Sequence, residues 1–293
     1  MRNIDLDSLQ IFKAVAELGS ITKAAGQLNR VQSNITTRIK NLERRLGVML
    51  FQRQNGKMQV SAEGKLLLGY TERLLRLSTE AEAAVRSGNP CGTLRIGTME
   101  STAAARLPPL LSRYHAANPE VQIELVTGTS GALVSKVHNH EIEAAFVAQP
   151  FAADGLDKQA AFVEELVLIA ARGARAAKTP RDLRIRTLIA FPTGCSYRRI
   201  LEDWLGRAAI VPDRVLELGS YHAMVACAAA GSGLAIMPRS VLATMRAESE
   251  VTVFPLPERV AKARTFLVWR NGHRSAALDA MRAELRRAKP DGR

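Results

Sequence analysis

Residues 20–47 constrain the fold of this chain more than any other stretch, because their apolar spacing predicts two short helices joined by a tight turn. The apolar side chains of the first helix recur at i, i+3, i+4 and i+7, which places them on one helical face: Ile21, Ala24, Ala25 and Leu28. Ser20 is a favourable N-cap for this helix. The small side chains within it allow a second helix to approach closely.

The second helix resumes the helical period after Asn29 and Arg30, with an inward apolar stripe of Val31, Ile35, Ile39, Leu42 and Leu46. Its other face carries amides, hydroxyls and cationic groups, which are able to bond to base edges and phosphates. A helix of this composition, presented by a preceding helix, suits insertion into a DNA major groove. A packed helix pair in any all-helical domain is the alternative interpretation.

The residues that follow favour the DNA-binding interpretation. Residues 50–60 predict two short strands around an Asn55-Gly56 turn, the pattern of a wing. Between Arg30 and Lys65 there are eight lysines and arginines against two acids, a local excess that can neutralise phosphates. The sequence therefore predicts a winged helix-turn-helix.

The 293-residue chain carries a formal net charge of +13, and its basic residues are denser at the N-terminus, with 14 basic and 8 acidic side chains in the first 90 residues. No apolar run approaches the roughly 20 residues that span a bilayer, and no secretory signal is evident, so we expect no membrane partner and a cytoplasmic location. The three cysteines and five histidines lack metal-ligand spacing, so we expect neither a metal nor another cofactor.

A long helix is predicted from Ser61 to about residue 86, with an apolar stripe that has little to pack on within one chain. A second copy explains this stripe, and the alternative is burial on its own domain. A linker of hinge-like composition follows at residues 87–92. Beyond it, strands alternate with helices, including one helix over residues 101–117, which predicts parallel sheets arranged in two α/β lobes.

Three loops that follow predicted strands are candidates for a ligand site, because ligands of open α/β sheets bind beyond the strands' carboxyl ends. They offer hydroxyls and helix-start N–H groups that suit a carboxylate. The candidate effector-binding residues are Thr98, Met99, Glu100, Ser101, Thr102, Thr127, Thr129, Ser130, Thr193, Cys195 and Ser196. Capping of helices is the alternative role for the Ser and Thr residues. Glu100 could instead face an ammonium group, and Tyr221 and His222 are further candidates from the second lobe.

The sequence does not support catalysis. It contains no nucleophile with a recognisable base, no G-x-S-x-G and no phosphate-binding loop, so we predict that the protein is not an enzyme. Redox sensing through Cys195 and Cys227 is an alternative to ordinary packing or pocket lining.

The chain resembles the LysR-type transcriptional regulators in a set of N-terminal residues: Ala24-Ala25, Gln32-Ser33, Ile35-Thr36, Ile39, Leu42-Glu43, Leu46-Gly47, Leu50-Phe51, Arg53 and Gly64. The segment Gly231 to Pro238 resembles their second-lobe signature. The resemblance implies an α/β protein with a winged helix-turn-helix at residues 1–60 and a linker helix and hinge at 61–90. It also implies a two-lobed effector-binding domain at 91–293, similar to type 2 periplasmic binding proteins, with lobe I at about 91–161 and 268–293 and lobe II at about 162–267.

The resemblance further implies a homodimer that assembles into a homotetramer, double-stranded DNA and a small-molecule effector as partners, and RNA polymerase as a candidate partner. The effector class expected is a small organic acid or an amino acid. The predicted base contacts are Gln32, Ser33, Asn34 and Thr36, and the predicted phosphate contacts are Arg30, Thr37, Arg38, Lys40, Arg53 and Lys57. Two residues depart from the family pattern: Val31 stands where a capping Ser or Thr is usual, and Asn34 where Ala is usual. A solute-binding module, a DNA-organising protein and an enzyme on the same fold are the competing classes.

Overall fold

A computed structural model of the chain describes residues 4–54, 57–85, 90–175, 179–183 and 187–287. The chain separates into two compact units, Met1–Ser87 and Gly88–Arg293. In the described part of the chain, no helix has the length and apolar character needed to cross a membrane.

The first unit is a three-helix core followed by a two-stranded wing and a long helix. Its elements are α1 (Leu6–Leu18), α2 (Ile21–Gln27), α3 (Gln32–Leu46), β1 (Phe51–Gln54), β2 (Lys57–Val60) and α4 (Ala62–Val85). Strands β1 and β2 pair antiparallel. The predicted helices and strands are confirmed, while the Asn55-Gly56 turn and residues 87–89 of the predicted linker lie outside the described residues.

The helix boundaries follow from local capping. The side chains of Asp5 and Ser20 accept hydrogen bonds from the N–H groups of Ser8 and Lys23, and Gly19 and Gly47 end α1 and α3 in the left-handed conformation. Val31 precedes α3 without a side-chain cap, as its apolar character predicts.

The second unit is a mixed sheet with helices on its faces. Its elements are β3 (Gly92–Thr98), α5 (Glu100–Ala105), α6 (Leu107–Ala117), β4 (Val121–Thr127), α7 (Ser130–His138), β5 (Ala144–Ala148), β6 (Leu156–Ala171), a 3₁₀ turn (Pro180–Asp182), β7 (Thr187–Ala190), α8 (Ser196–Gly206), β8 (Arg214–Glu217), α9 (Tyr221–Ala229), β9 (Leu234–Pro238), α10 (Arg239–Thr244), β10 (Val251–Pro255), α11 (Glu258–Ala261), β11 (Lys262–Arg270) and α12 (Ala276–Arg287).

Two long strands connect the halves of this sheet. Among the described residues the strand order is β4-β3-β5-β11-β6-β9-β7-β8, with β10 also paired to β6. We call the half around β3, β4 and β5 lobe I and the half around β7, β8 and β9 lobe II. The predicted lobe limits at 161/162 and 267/268 fall inside β6 and β11, and the domain limits remain predictions.

Two expectations about this unit were wrong. The sheet is mixed rather than parallel, because β11 runs antiparallel to β5 and β6, and β6 runs antiparallel to β9 and β10. The helix predicted over residues 101–117 is two helices that meet at Arg106. Pro108 and Pro109 lack the N–H groups that a continuous helix needs, and they fit only the first turn of a new helix.

Candidate functional site

Helix α3 presents its polar face to solvent. Gln32, Ser33 and Asn34 in its first turn are exposed, as are Thr37 and Lys40. Of the predicted inward stripe, Ile35, Ile39 and Leu42 are buried and Leu46 is half-buried. The inward prediction for Val31 was wrong, because Val31 precedes the first turn of α3 and its side chain is 68% exposed. Thr36 is half-buried, and its hydroxyl donates to the carbonyl of Gln32 at 2.9 Å. Three of the four predicted base-contacting side chains are therefore open for hydrogen bonding, and the fourth is engaged within the helix.

The predicted phosphate contacts Arg30 and Arg38 meet two aspartates at the start of α1. Arg30 binds the Asp7 carboxylate through both terminal nitrogens, at 2.6 and 3.1 Å. Arg38 approaches Asp5 at 3.5 Å and Asp7 at 3.4 Å. All four side chains are partly exposed, so the pairs contribute little stability and leave the guanidinium groups accessible to a phosphate.

The Asp5 carboxylate caps α1 by accepting from the N–H of Ser8, and it also approaches Arg38. The backbone N–H of Ser8 lowers its pKa, with further lowering by the Ser8 hydroxyl and by Arg38.

Arg53 and Lys57 lie on β1 and β2, but their side chains are outside the described part of the structure.

A cavity of about 390 Å³ lies between the lobes of the second unit. Lobe I contributes the loop from β3 into α5 and the loop from β4 into α7, and lobe II contributes the starts of α8 and α9. The described lining residues are Met99, Glu100, Ser101, Thr127, Gly128, Thr129, Ser130, Phe191, Pro192, Cys195, Tyr197, Gly219 and Tyr221.

The structure brings seven of the eleven candidate effector-binding residues to this cavity: Met99, Glu100, Ser101, Thr127, Thr129, Ser130 and Cys195. The other four are not among its lining residues. Thr98 and Thr102 are buried, Thr193 is exposed, and Ser196 is buried with its hydroxyl donated to the carbonyl of Ala148 at 2.6 Å. Their binding roles remain predictions.

Several polar groups at the cavity are already used within the protein. The Thr129 hydroxyl caps α7 by accepting from the N–H of Ala132 at 3.3 Å. The Ser130 hydroxyl accepts from the N–H of Ala148 at 3.2 Å and donates to the sulfur of Met99. The N–H of Gly131 donates to the carbonyl of Gly194 at 3.1 Å, which joins the two lobes directly.

Glu100 of lobe I reaches the start of a helix in lobe II. Its Oε1 accepts from the N–H of Tyr221 at 3.3 Å, so the carboxylate takes the place of a cap for α9. Its Oε2 is buried and has no hydrogen-bond partner among the described residues. Burial raises the pKa of this carboxyl, while the Tyr221 N–H and nearby His222 lower it.

Three aromatic side chains line the lobe II wall: Phe191 from the loop after β7, Tyr221, a candidate from the sequence, and Tyr197, which the loop pattern did not predict. The rings of Phe191 and Tyr221 lie 4.8 Å apart between centroids. Tyr197 is fully buried, and burial raises its pKa, although the hydroxyls of Ser101 and Thr265 oppose the shift.

Cys195 lines the cavity as a protonated thiol. Burial raises its pKa, although the N–H groups of Arg198 and Tyr197 oppose the shift. A thiolate is the reactive form of cysteine, so this environment favours pocket lining over redox sensing.

Among the described residues, no group of three His, Cys, Asp or Glu side chains is placed to hold a metal ion.

Comparisons with known proteins match the two units separately. Residues 6–65 match the family described as bacterial regulatory helix-turn-helix protein, lysR family, and residues 87–290 match the LysR substrate binding domain. A transcriptional regulator of Bacillus subtilis, YusT, is 39% identical over 274 residues, covering 92% of this chain and 91% of that protein. The regulator GltR of the same organism is 33% identical and covers 98% of this chain and 99% of its own length.

Solved structures share the same architecture. Full-length CbnR in complex with its target DNA has a TM-score of 0.70 at 25% identity, covering 97% of this chain and 99% of that one. Full-length OxyR from Pseudomonas aeruginosa also has a TM-score of 0.70, at 19% identity, covering 98% and 96% of the two chains. The second likeness concerns the fold alone.

Proposed function

The chain belongs to the LysR family of DNA-binding transcriptional regulators, and from that premise we propose that an effector held between its lobes controls how it binds a promoter. The observation that carries the proposal is the pairing of an exposed polar α3 with a separate two-lobed unit that encloses a ligand-sized cavity. Its volume lies at the lower end of the usual range for small-molecule sites, about 300–1,000 Å³.

The DNA-reading role falls on α3. Gln32, Ser33 and Asn34 read base edges, because their side chains are exposed at the N-terminal end that enters a major groove. Thr36 contacts bases either through its methyl group or through its hydroxyl, once the hydroxyl has left the carbonyl of Gln32. Thr37, Lys40, Arg53 and Lys57 contact phosphates.

Arg30 and Arg38 complete the phosphate contacts from a position that the aspartates fix. Asp5 and Asp7 hold the two guanidinium groups beside the reading face, and a DNA phosphate can replace the carboxylates as a charged, doubly hydrogen-bonded partner of the same groups. CbnR, the relative solved with its target DNA, supports double-stranded DNA as the partner.

A second copy of the chain covers the exposed stripe of α4. Leu66, Tyr70, Leu74 and Leu77 lie about one helical turn apart and are 39–67% exposed, while the opposite side of α4 packs on α1. Pairing two such stripes buries apolar surface and presents two recognition helices to two half-sites. In the proposed assembly, two of these homodimers form a homotetramer. This homotetramer acts on DNA in the cytoplasm.

Effector binding is coupled to DNA through the angle between the lobes. Lobe I and lobe II contribute about equally to the cavity wall, and both are built on the continuous strands β6 and β11. A ligand that contacts both walls stabilises one angle over others. The effector belongs to the small organic acids or amino acids predicted from the sequence.

Footprinting on DNA tests this function. Purified protein is bound to the DNA upstream of its own gene at two salt concentrations, with and without candidate acids and amino acids. We expect a protected, partly palindromic site whose extent changes with a ligand. Weak protection without sequence preference, lost as salt rises, would refute specific regulation and favour a DNA-organising role.

Turnover measurements separate the remaining classes. The family consists of regulators rather than enzymes, so a ligand that alters the footprint is expected to be recovered unchanged. Chemical conversion of that ligand by the purified protein would favour an enzyme, and ligand binding without any footprint would favour a solute-binding module.

A further inference from the structure

We propose that the effector of this protein carries a protonated amine on an apolar body, and that the amine binds the Glu100 carboxylate between the lobes. The inference rests on the proposed effector role of the cavity, and it replaces organic acids that lack an amine with molecules that carry an ammonium group.

The charge of the cavity is the first argument. Glu100 is acidic, and no Lys, Arg or His occurs among the described residues that line the cavity. Nearby His222 is exposed and is not a lining residue. A ligand carboxylate would therefore approach Glu100 without a cationic partner, and like charges placed together in a partly buried site repel each other.

The unpaired oxygen of Glu100 is the second argument. Oε1 is occupied by the N–H of Tyr221, whereas Oε2 is buried without a partner. A buried acceptor that lacks a donor is costly, and a charged donor satisfies it best. Burial raises the pKa of this carboxyl, and a bound ammonium group reverses that shift by favouring the ionised form.

The third argument concerns the hydroxyl and N–H groups that could hold a ligand carboxylate, because several of them already make hydrogen bonds within the protein. The Thr129 hydroxyl caps α7, the Ser130 hydroxyl is bonded on both sides, and the Gly131 N–H is donated to Gly194. At the start of α9, the N–H of Tyr221 is taken by Glu100 itself. These positions leave few donors for an anion.

The walls complete a site for an amine with an apolar substituent. Ser101 and Tyr197 also line the cavity, and both residues are only 2% exposed. Met99, Phe191 and Tyr221 supply apolar and aromatic surface. Aromatic faces also attract cations.

Calorimetry on the full-length protein tests the inference with matched ligands. One set is 2-phenylethylamine, 3-phenylpropanoate and 2-phenylethanol, and the other is butylamine, pentanoate and 1-butanol. We expect at least one amine to bind about tenfold or more tightly than its carboxylate and alcohol counterparts, which corresponds to the usual strength of a charged hydrogen bond.

Glu100→Gln keeps the shape of the side chain and removes its charge. We expect it to weaken amine binding by about 10- to 100-fold and to leave alcohol binding within a factor of a few. Glu120→Gln makes the same charge change at an exposed residue that does not line the cavity, and amine affinity should not change. Should Glu100→Gln fail to fold, the ligand comparison on the unaltered protein still decides.

Three results would overturn the inference: tighter binding of a carboxylate than of its amine, no binding of either amine at millimolar concentration, or an unchanged amine affinity in Glu100→Gln. Footprints on the same samples keep the two proposals apart. A specific footprint that responds to a carboxylate removes the amine inference and preserves the regulator, whereas loss of any specific footprint removes the regulator.

Discussion

Replacing Glu164 with glutamine removes the charge of a carboxylate that joins three elements at the junction of the lobes. Glu164 lies on β6, and its side chain is 2% exposed. Its Oε1 accepts from Nε of Arg106 at 2.7 Å, and its Oε2 accepts from Nη2 of Arg106 at 3.2 Å and from the Ser240 hydroxyl at 2.6 Å. Arg106 lies between α5 and α6, and Ser240 lies on α10.

The expected loss in the free energy of unfolding follows from the interactions that glutamine keeps and those that it loses. Its carbonyl oxygen still accepts one hydrogen bond from Arg106, and its amide faces the Ser240 hydroxyl, which can accept. The charge is lost, and breaking a buried ion pair costs about 3–5 kcal/mol. Since the Arg106 side chain is 20% exposed and can turn toward water, we expect a loss of about 2–3 kcal/mol in the free energy of unfolding.

Tryptophan fluorescence isolates this effect, because both tryptophans of the chain, Trp204 and Trp269, are buried in the second unit. With a urea dependence of about 2–3 kcal/mol per molar, the unfolding midpoint should fall by about 1 M. The neighbouring Glu165 is the matched control. It is exposed and pairs with Arg239 at 3.1 Å, so Glu165→Gln should change the free energy of unfolding by less than about 0.5 kcal/mol.

Equal effects of the two substitutions would refute the reasoning, since they differ in burial and not in chemistry. A Glu164→Gln midpoint within about 0.2 M of the unaltered protein would refute it too. Either result would mean that the Arg106 contact contributes no more than an ordinary surface ion pair.

Three further predictions concern the first unit. Arg38→Ala should weaken binding to all DNA sequences and reduce the salt slope by about 1, measured by fluorescence anisotropy, whereas Arg44→Ala near the end of α3 should do neither. Leu74→Glu should convert the dimer to monomer in sedimentation, because it places a charge in the exposed α4 stripe, and an unchanged dimer would contradict the proposed interface. Asp5→Ala should speed hydrogen exchange of α1 amides at pH 7, by an amount equivalent to about 0.5–1 kcal/mol. Since the folded-state pKa of Asp5 is lowered, this difference should be lost as pH falls below about 4, and a constant difference down to pH 2 would contradict it.

The parts of this fold that the sequence predicts are those that local chemistry determines. Asp5, Ser20 and Ser61 act through groups three residues away, and Gly19 and Gly47 end helices by adopting a conformation that other residues avoid. Gly64 was identified only through the family resemblance. The structure supplies its reason, since a Cβ there would lie 2.3 Å from the carbonyl oxygen of Leu50.

The parts that the sequence did not predict depend on contacts between distant residues. Strand direction in β6 and β11 is set by pairing between residues about a hundred positions apart, and no local period records it. The loops after β3 and β4 were predicted to line a site because strands end there, but Tyr197 is the second residue of helix α8 and lies just beyond the loop that the pattern identified. The ion pairs of Arg30 and Arg38 with the aspartates of α1 were missed for the same reason.

Two side-chain contacts that the sequence could not show at the lobe junction involve glutamates, and they differ in a way that bears on regulation. Glu164 has a partner for each oxygen, so it fixes the lobes where they meet. Glu100 caps α9 with one oxygen and leaves the other without a partner. An ammonium group on the second oxygen changes the charge that faces the first turn of α9, and the interaction of a carboxylate with a helix N-terminus depends on that charge. In the proposed mechanism, the same glutamate binds the effector and transmits its presence to lobe II, while Glu164 fixes the junction between the lobes.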